Sequence, residues 1–332
     1  MSGCAAHETP AQPPARVQTQ VVFDRYTPLA ETLEIARRTL TPLTFAAVEQ
    51  QLSAKGPALR QRAIDLAKET FSLYVPAGSP PDAGYGVLVF IAPWAEPTEP
   101  RSWRAPLDRH GLIFISADNS GNDVPVLDRR LPLALLAYEN VRARYPVDPS
   151  RVFVGGLSGG SRAAEMTALA YPDVFRGVLL NAGSDPIGGE EGIYLPPAEL
   201  FHRFEQTRVV FITGAHDELN LGDDGVTRAS LKSWCVFDVE VLVAPRLAHE
   251  PLDAPSLSRA LDALDQHAAV EQTRKDRCWA DVQRELASRV AGVDAAIAKG
   301  DRDTAGSRLK ALDAHFAGLA ARELAELNAQ VR

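Results

Sequence analysis

The sequence predicts an α/β protein: a mostly parallel sheet with helices on both faces, followed by a helical extension at the C-terminus. Short, nearly continuous runs of Val, Ile, Leu and Phe recur at 85–92, 111–117, 151–157, 177–183, 208–214 and 239–245. Strands buried on both faces read this way. Helix-length amphipathic segments lie between them, at 131–145, 160–172, 225–237 and 254–267, and such alternation implies parallel strands with crossover helices. From about Glu271 the strands stop and the apolar residues keep helical spacing.

In chain order, residues 1–22 are poor in large apolar side chains and rich in Pro, Ala and Gln, so they read as a disordered tail or tether. The main domain spans 23–268, with a helix-like lead-in to about residue 69 that carries Leu29, Leu33, Ile35, Leu43, Val48 and Leu52. Gly56-Pro57 breaks that lead-in, and "TFSLYV" (70–75) opens the strand series. Residues 269–332 form a helical hairpin. Trp279, Val282, Leu286, Val290, Val293 and Ile297 line its first arm, "AKGDRD" makes the turn, and Leu309, Leu312, Phe316 and Leu319 line the second. A last helix falls at about 322–331.

Composition excludes several classes. With 332 residues, 45% of them apolar, the chain can bury a substantial core. A net charge of −8 with no recurring basic cluster argues against nucleic acid. No apolar run reaches the roughly 18 to 20 residues a membrane-spanning helix needs, and the charged start and apolar segment of a full signal peptide are missing. "MSGCAAHETPAQPPARVQ" nevertheless resembles the end of a bacterial lipoprotein signal, with Cys4 as the lipid site and a Pro/Ala/Gln tether after it. That resemblance implies the cell envelope and a membrane tether, given an apolar segment upstream. With Met1 as the true start, the chain is cytoplasmic and Cys4 is incidental. Cys235 and Cys278 then remain as an even pair, compatible with one disulfide in an oxidising compartment. Sequence spacing does not bring their α-carbons together, so two ordinary buried thiols are the simpler expectation.

The chemistry centres on "RVFVGGLSGGSRAAEM" (151–166). Gly156-Leu157-Ser158-Gly159-Gly160 fits G-x-S-x-G, and it lies where a strand runs into a helix. There a sharp turn lifts a Ser hydroxyl above the sheet. Gly156 and Gly160 belong where a β-carbon would clash with the neighbouring strand or helix. A phosphate loop would need a following Lys that is absent. Ser161, one turn into the helix, suits local backbone bonding. A Ser nucleophile needs a base, and the base an orienting acid. In a parallel sheet both must come from loops at the strands' carboxyl ends. "RVVFITGAHDELN" places Asp217 just after one strand, and "VEVLVAPRLAHEPLDAP" places His249 after the last. Other carboxylates compete for the acid role: Asp185 in "NAGSDP", and Glu218, Asp223 and Asp224 beside Asp217.

On "GLSGG", "TGAHD" and "AHEPLDAP" in that order, residues 70–268 resemble the α/β-hydrolase superfamily, in particular its polyhydroxybutyrate-depolymerase and feruloyl-esterase-like branch. The resemblance implies the α/β-hydrolase fold, with Ser158 as nucleophile, Asp217 as acid and His249 as general base. It says nothing of the C-terminal helices. The N–H of Gly159 would be one oxyanion donor. The second belongs to the loop after 85–92, where Pro93 has no N–H, which leaves Trp94 or Ala95. Trp94 is equally a candidate pocket wall or packed core residue. Asn122, in the loop after 111–117, and Asn181, in the 177–183 run, are candidate substrate contacts, and backbone capping is the competing role for the loop's polar residues. His216 beside Asp217 has no second metal ligand at a suitable spacing, so neither metal nor organic cofactor is expected.

The function expected from these residues is hydrolysis of a small or polymeric carboxylic ester. Two other functions fit the same fold: a catalytically silent binding or scaffold protein, and an acyltransferase using the same triad.

Overall fold

A computed structural model describes residues 16–54 and 64–331. Eight strands form one sheet: β1 (Val17–Val21), β2 (Phe71–Tyr74), β3 (Tyr85–Ile91), β4 (Leu112–Ala117), β5 (Val147–Leu157), β6 (Gly177–Asn181), β7 (Arg208–Gly214) and β8 (Val239–Ala244). Their spatial order is β1-β2-β4-β3-β5-β6-β7-β8. Strands β3 to β8 are parallel, and β2 runs antiparallel between β4 and the edge strand β1. This is the α/β-hydrolase fold.

Eleven helices are described: α1 (Thr32–Thr39), α2 (Pro42–Ala54), α3 (Arg104–His110), α4 (Leu131–Arg144), α5 (Gly159–Ala170), α6 (Ala198–Phe204), α7 (Glu218–Ser233), α8 (Ala254–Leu264), α9 (Gln272–Ala298), α10 (Arg302–Phe316) and α11 (Ala321–Val331). Successive strand residues point to opposite faces, and here both faces are covered. Val87, Val89 and Ile91 join Ile113, Ile115, Val152 and Val154 in one core, packed by α4 and α5. Leu88, Phe90, Leu112, Phe114 and Phe153 join the other, with Trp103, Leu107, Leu257 and Leu261. Continuous apolar strands follow directly from this two-sided burial.

The C-terminal helices pack onto the first core through Val282, Val293, Leu309, Leu312, Phe316, Leu324 and Leu327. Polar contacts fix their placement. Trp279 donates its indole N–H to Glu205 at 2.7 Å, and Thr41 donates to buried Asp313 at 2.6 Å.

Two features differ from the sequence expectations. Residues 17–21, expected to lie in a disordered tail, form edge strand β1 against β2. Their polar composition suits a solvent-facing edge position. Cys4 and Gly56-Pro57 lie outside the described residues. The second difference is the cysteines. Cys235 and Cys278 are bonded, with α-carbons 5.7 Å apart, because α9 crosses the end of α7.

This bond ties the helical extension to the main domain across a separation of 43 residues. A loop of that length contributes about 4 kcal/mol through chain entropy. Denaturant unfolding of Cys278→Ser, or of the reduced protein, is expected to show a loss of that order, with the α9–α11 region loosening first. Coincident unfolding curves for the reduced and oxidised protein would contradict it.

Candidate active site

Ser158 sits between β5 and α5 with φ 57° and ψ −126°. Side chains rarely adopt this backbone region, at a cost of about 1–3 kcal/mol. Neighbouring structure enforces the turn. A β-carbon on Gly160 would collide with the Ile91 carbonyl, and one on Gly156 with the backbone of Gly160. Only glycine lets β5, α5 and β3 approach this closely. The Ser158 N–H donates to Asn181 O at 2.9 Å, which fixes the turn to β6. Ser161 does more than local bonding: its hydroxyl donates to Gly183 O at 2.5 Å and closes the turn onto the loop after β6.

The acid and imidazole arrive on adjacent strands. Beyond β7 and β8, Ala215 N–H donates to Ala244 O at 2.9 Å and His216 N–H to Leu247 O at 3.1 Å. These bonds zip the two loops together. His249 donates from Nδ1 to Asp217 Oδ2 at 2.7 Å. Asp217 is buried and caps the N-terminus of α7. The Asn220 amide donates to both of its carboxylate oxygens at 2.9 Å. Burial alone would raise the Asp217 carboxyl, but the hydrogen bonds from Asn220 and His249 outweigh it and hold the group below its ordinary value. The carboxylate therefore stays ionised beside an imidazole whose side chain is 45% exposed.

Three of the four rival carboxylates are engaged elsewhere. Arg162 pairs with Asp185 and Asp223, each at 2.9 Å. Asp224 is buried beneath hydroxyls of Thr213 and Ser184. Of the acids weighed from sequence, Asp217 is the one that meets His249. Ser158 stands at the same carboxyl-end rim, with no hydrogen bond from its Oγ to the imidazole. In unliganded enzymes such bonds are often long and tighten with substrate bound.

Gly214 ends β7 beneath the His249 loop, and a β-carbon there would strike the carbonyls of Leu247 and Ala248. Gly214→Ala is expected to displace His249 from Asp217. It should lower kcat/KM by about 10²-fold with the circular dichroism spectrum retained; wild-type turnover would contradict this.

The loop after β3 is held from two sides. Asn122 N–H donates to Pro93 O at 3.1 Å, and Asn119 N–H to Ala95 O at 2.6 Å. The Asn122 side chain lies against the Gly159 α-carbon. The Asn122 side chain therefore lies beside the residue that follows Ser158. Trp94 is 37% exposed on this loop, so it is not packed core. Gly159 opens α5, where a helix's first N–H groups have no acceptor within the helix. Asn181 is corrected: it is 2% exposed and its amide donates to Ile212 O inside the sheet. It supports the serine turn and cannot reach substrate. Asn220 was missed from sequence, although its place three residues after an N-capping Asp is the position that bonds back to the cap.

Beneath this rim Glu165 is fully buried, with Oε2 accepting the Asp185 N–H at 2.8 Å and Oε1 unpartnered. Burial pushes its carboxyl well above the usual range. The folded chain thus keeps a proton that the unfolded chain releases above the ordinary glutamate value of about 4.3. Stability contributed here is present below that value and is lost as pH rises toward the folded-state value. Glu165→Gln should flatten the decline in melting temperature from mildly acidic to mildly alkaline pH. An unchanged decline would contradict the assignment. Among the described residues no three His, Cys, Asp or Glu side chains cluster as metal ligands.

The strand order, the serine turn and the acid–imidazole pair are those of the α/β-hydrolase fold. No protein-family model matches the chain. A 51-residue segment is 45% identical to poly(3-hydroxyalkanoate) depolymerase C of Paucimonas lemoignei, covering 15% of this chain and 11% of that protein. A 104-residue segment is 26% identical to the poly(3-hydroxybutyrate) depolymerase of Ralstonia pickettii, covering 26% and 20%. The matches thus span a fifth or less of these relatives' length. A ferulic acid esterase structure superposes with TM-score 0.45 at 13% identity, covering 59% of this chain and 92% of that one.

Proposed function

We propose that this protein is a serine hydrolase of carboxylic esters. The observation that carries the reading is the 2.7 Å bond between buried Asp217 and His249, set at the same sheet rim as the strained Ser158. In the proposed reaction His249 Nε2 takes the Ser158 proton as Oγ attacks the ester carbonyl. The N–H of Gly159 and an N–H of the Trp94-Ala95 stretch receive the negative charge. The alcohol leaves with the proton from His249, giving an acyl-enzyme. A water that surrenders its proton to the same imidazole then releases the acid. Asp217 holds the imidazole in the tautomer that leaves Nε2 free to accept.

The depolymerase names of the two relatives support esters of short hydroxyalkanoic acids, including oligomers, as the substrate class, with exposed Trp94 and Asn122 bordering the bound chain. The disulfide favours an oxidising compartment, which supports the cell envelope and a Cys4 tether. The test is hydrolysis of a panel of nitrophenyl esters of graded acyl length together with hydroxybutyrate oligomers. Turnover that favours short acyl chains and releases hydroxybutyrate supports the reading. No turnover of any ester by folded protein overturns it and favours a binding role, whereas ester formation with added alcohols marks acyl transfer.

A further inference from the structure

Arg130 is 3% exposed and ends the turn at Val126–Arg130 that leads into α4. Its guanidinium forms no salt bridge with any described carboxylate. Instead it spends its donors on three backbone carbonyls: Nε on Ser120 at 3.0 Å, Nη1 on Gly159 at 3.2 Å and Nη2 on Ala92 at 3.1 Å. Those carbonyls belong to three separate segments. Ala92 immediately precedes the Pro93-Trp94-Ala95 loop, Ser120 lies in the turn that pins that loop, and Gly159 follows the nucleophile. Burial pulls the guanidinium below its ordinary value, with Asp123 acting weakly the other way, and it remains charged, as arginine does.

A buried cation without a carboxylate is costly, whereas the other buried arginines among the described residues, Arg38 and Arg208, are paired with Asp173 and Asp238. The missing counter-charge has a natural source. Negative charge develops on the substrate's carbonyl oxygen between Gly159 and the 93–95 loop, and in a low-dielectric site a fixed positive charge favours it. We propose that Arg130 is a positioning residue for the oxyanion site. It holds the two donor segments in register through their carbonyls and favours the tetrahedral intermediate by its charge.

The inference rests on the serine-hydrolase reading, and one set of measurements separates the two. Wild type, Arg130→Lys and Arg130→Met are compared for kcat, KM, melting temperature and affinity for an alkyl boronic acid, whose adduct with serine carries the tetrahedral negative charge. Arg130→Met should lose about 10²-fold in kcat with KM nearly constant, and boronate affinity should fall by a similar factor. Arg130→Lys, which keeps the charge but not the three-way reach, should fall between. Variants with wild-type kcat, or with kcat lost while boronate affinity is kept, overturn the proposal. An unreactive wild type overturns the hydrolase reading instead. Should the variants not fold, arginine Nε–H resonances of the ¹⁵N-labelled wild type decide. One buried resonance should shift on boronate binding, and none shifting counts against the role.

Discussion

Ser158→Ala is expected to lower kcat for ester hydrolysis by about 10⁶-fold, the loss that follows when a serine triad's nucleophile is removed. The other hydroxyl of the turn does not replace it. Ser161 is committed to Gly183 O and buried, so this turn raises no second hydroxyl above the sheet. The same position yields a stability result of opposite sign. Ser158 holds φ 57°, a conformation that glycine adopts freely. Ser158→Gly should therefore unfold at a higher temperature than wild type, by about 1 kcal/mol net of glycine's extra chain entropy. A variant that is both inactive and more stable identifies strain stored for function. Serine activity retained in Ser158→Ala would place the nucleophile elsewhere.

Asp217→Asn should cost about 10⁴-fold in kcat, because an amide in that position favours the wrong imidazole tautomer and cannot stabilise the imidazolium. The contrast with Asp185→Asn is as informative. Asp185 pairs with Arg162 on the partly exposed side of α5, where ion pairs contribute little, so its loss should change kcat less than a few-fold. Acid pH gives a second measure. The Asp217 carboxyl lies below its ordinary value. The stability it contributes is full above about pH 4 and is lost as pH falls through the lowered folded-state value. Asp217→Asn should remove that portion of the acid unfolding. Equal losses in the two variants would contradict the assignment of the orienting acid.

The sheet and the serine turn were legible because their signals are local and physical: two-sided burial writes continuous apolar strands, and a crowded turn writes glycines at 156 and 160. The order Ser158, Asp217, His249 was legible because each stands just beyond a strand. What sequence missed depends on contacts between distant segments. β1 is polar and becomes a strand only through pairing with β2. Cys235 and Cys278 meet because α9 crosses α7, a relation no spacing encodes. Asn181 ends a strand run, and only its bond to Ile212 shows that its side chain points into the sheet. Arg130 carries no motif, and its three carbonyl partners lie 10 to 38 residues away.

Fluorophosphonate labelling followed by peptide mass spectrometry tests the assignment of the nucleophile most directly. One adduct on Ser158, absent from Ser158→Ala and formed far more slowly in Asp217→Asn, is the expected result. A folded wild-type protein that takes no label, or takes it on another side chain, would contradict it.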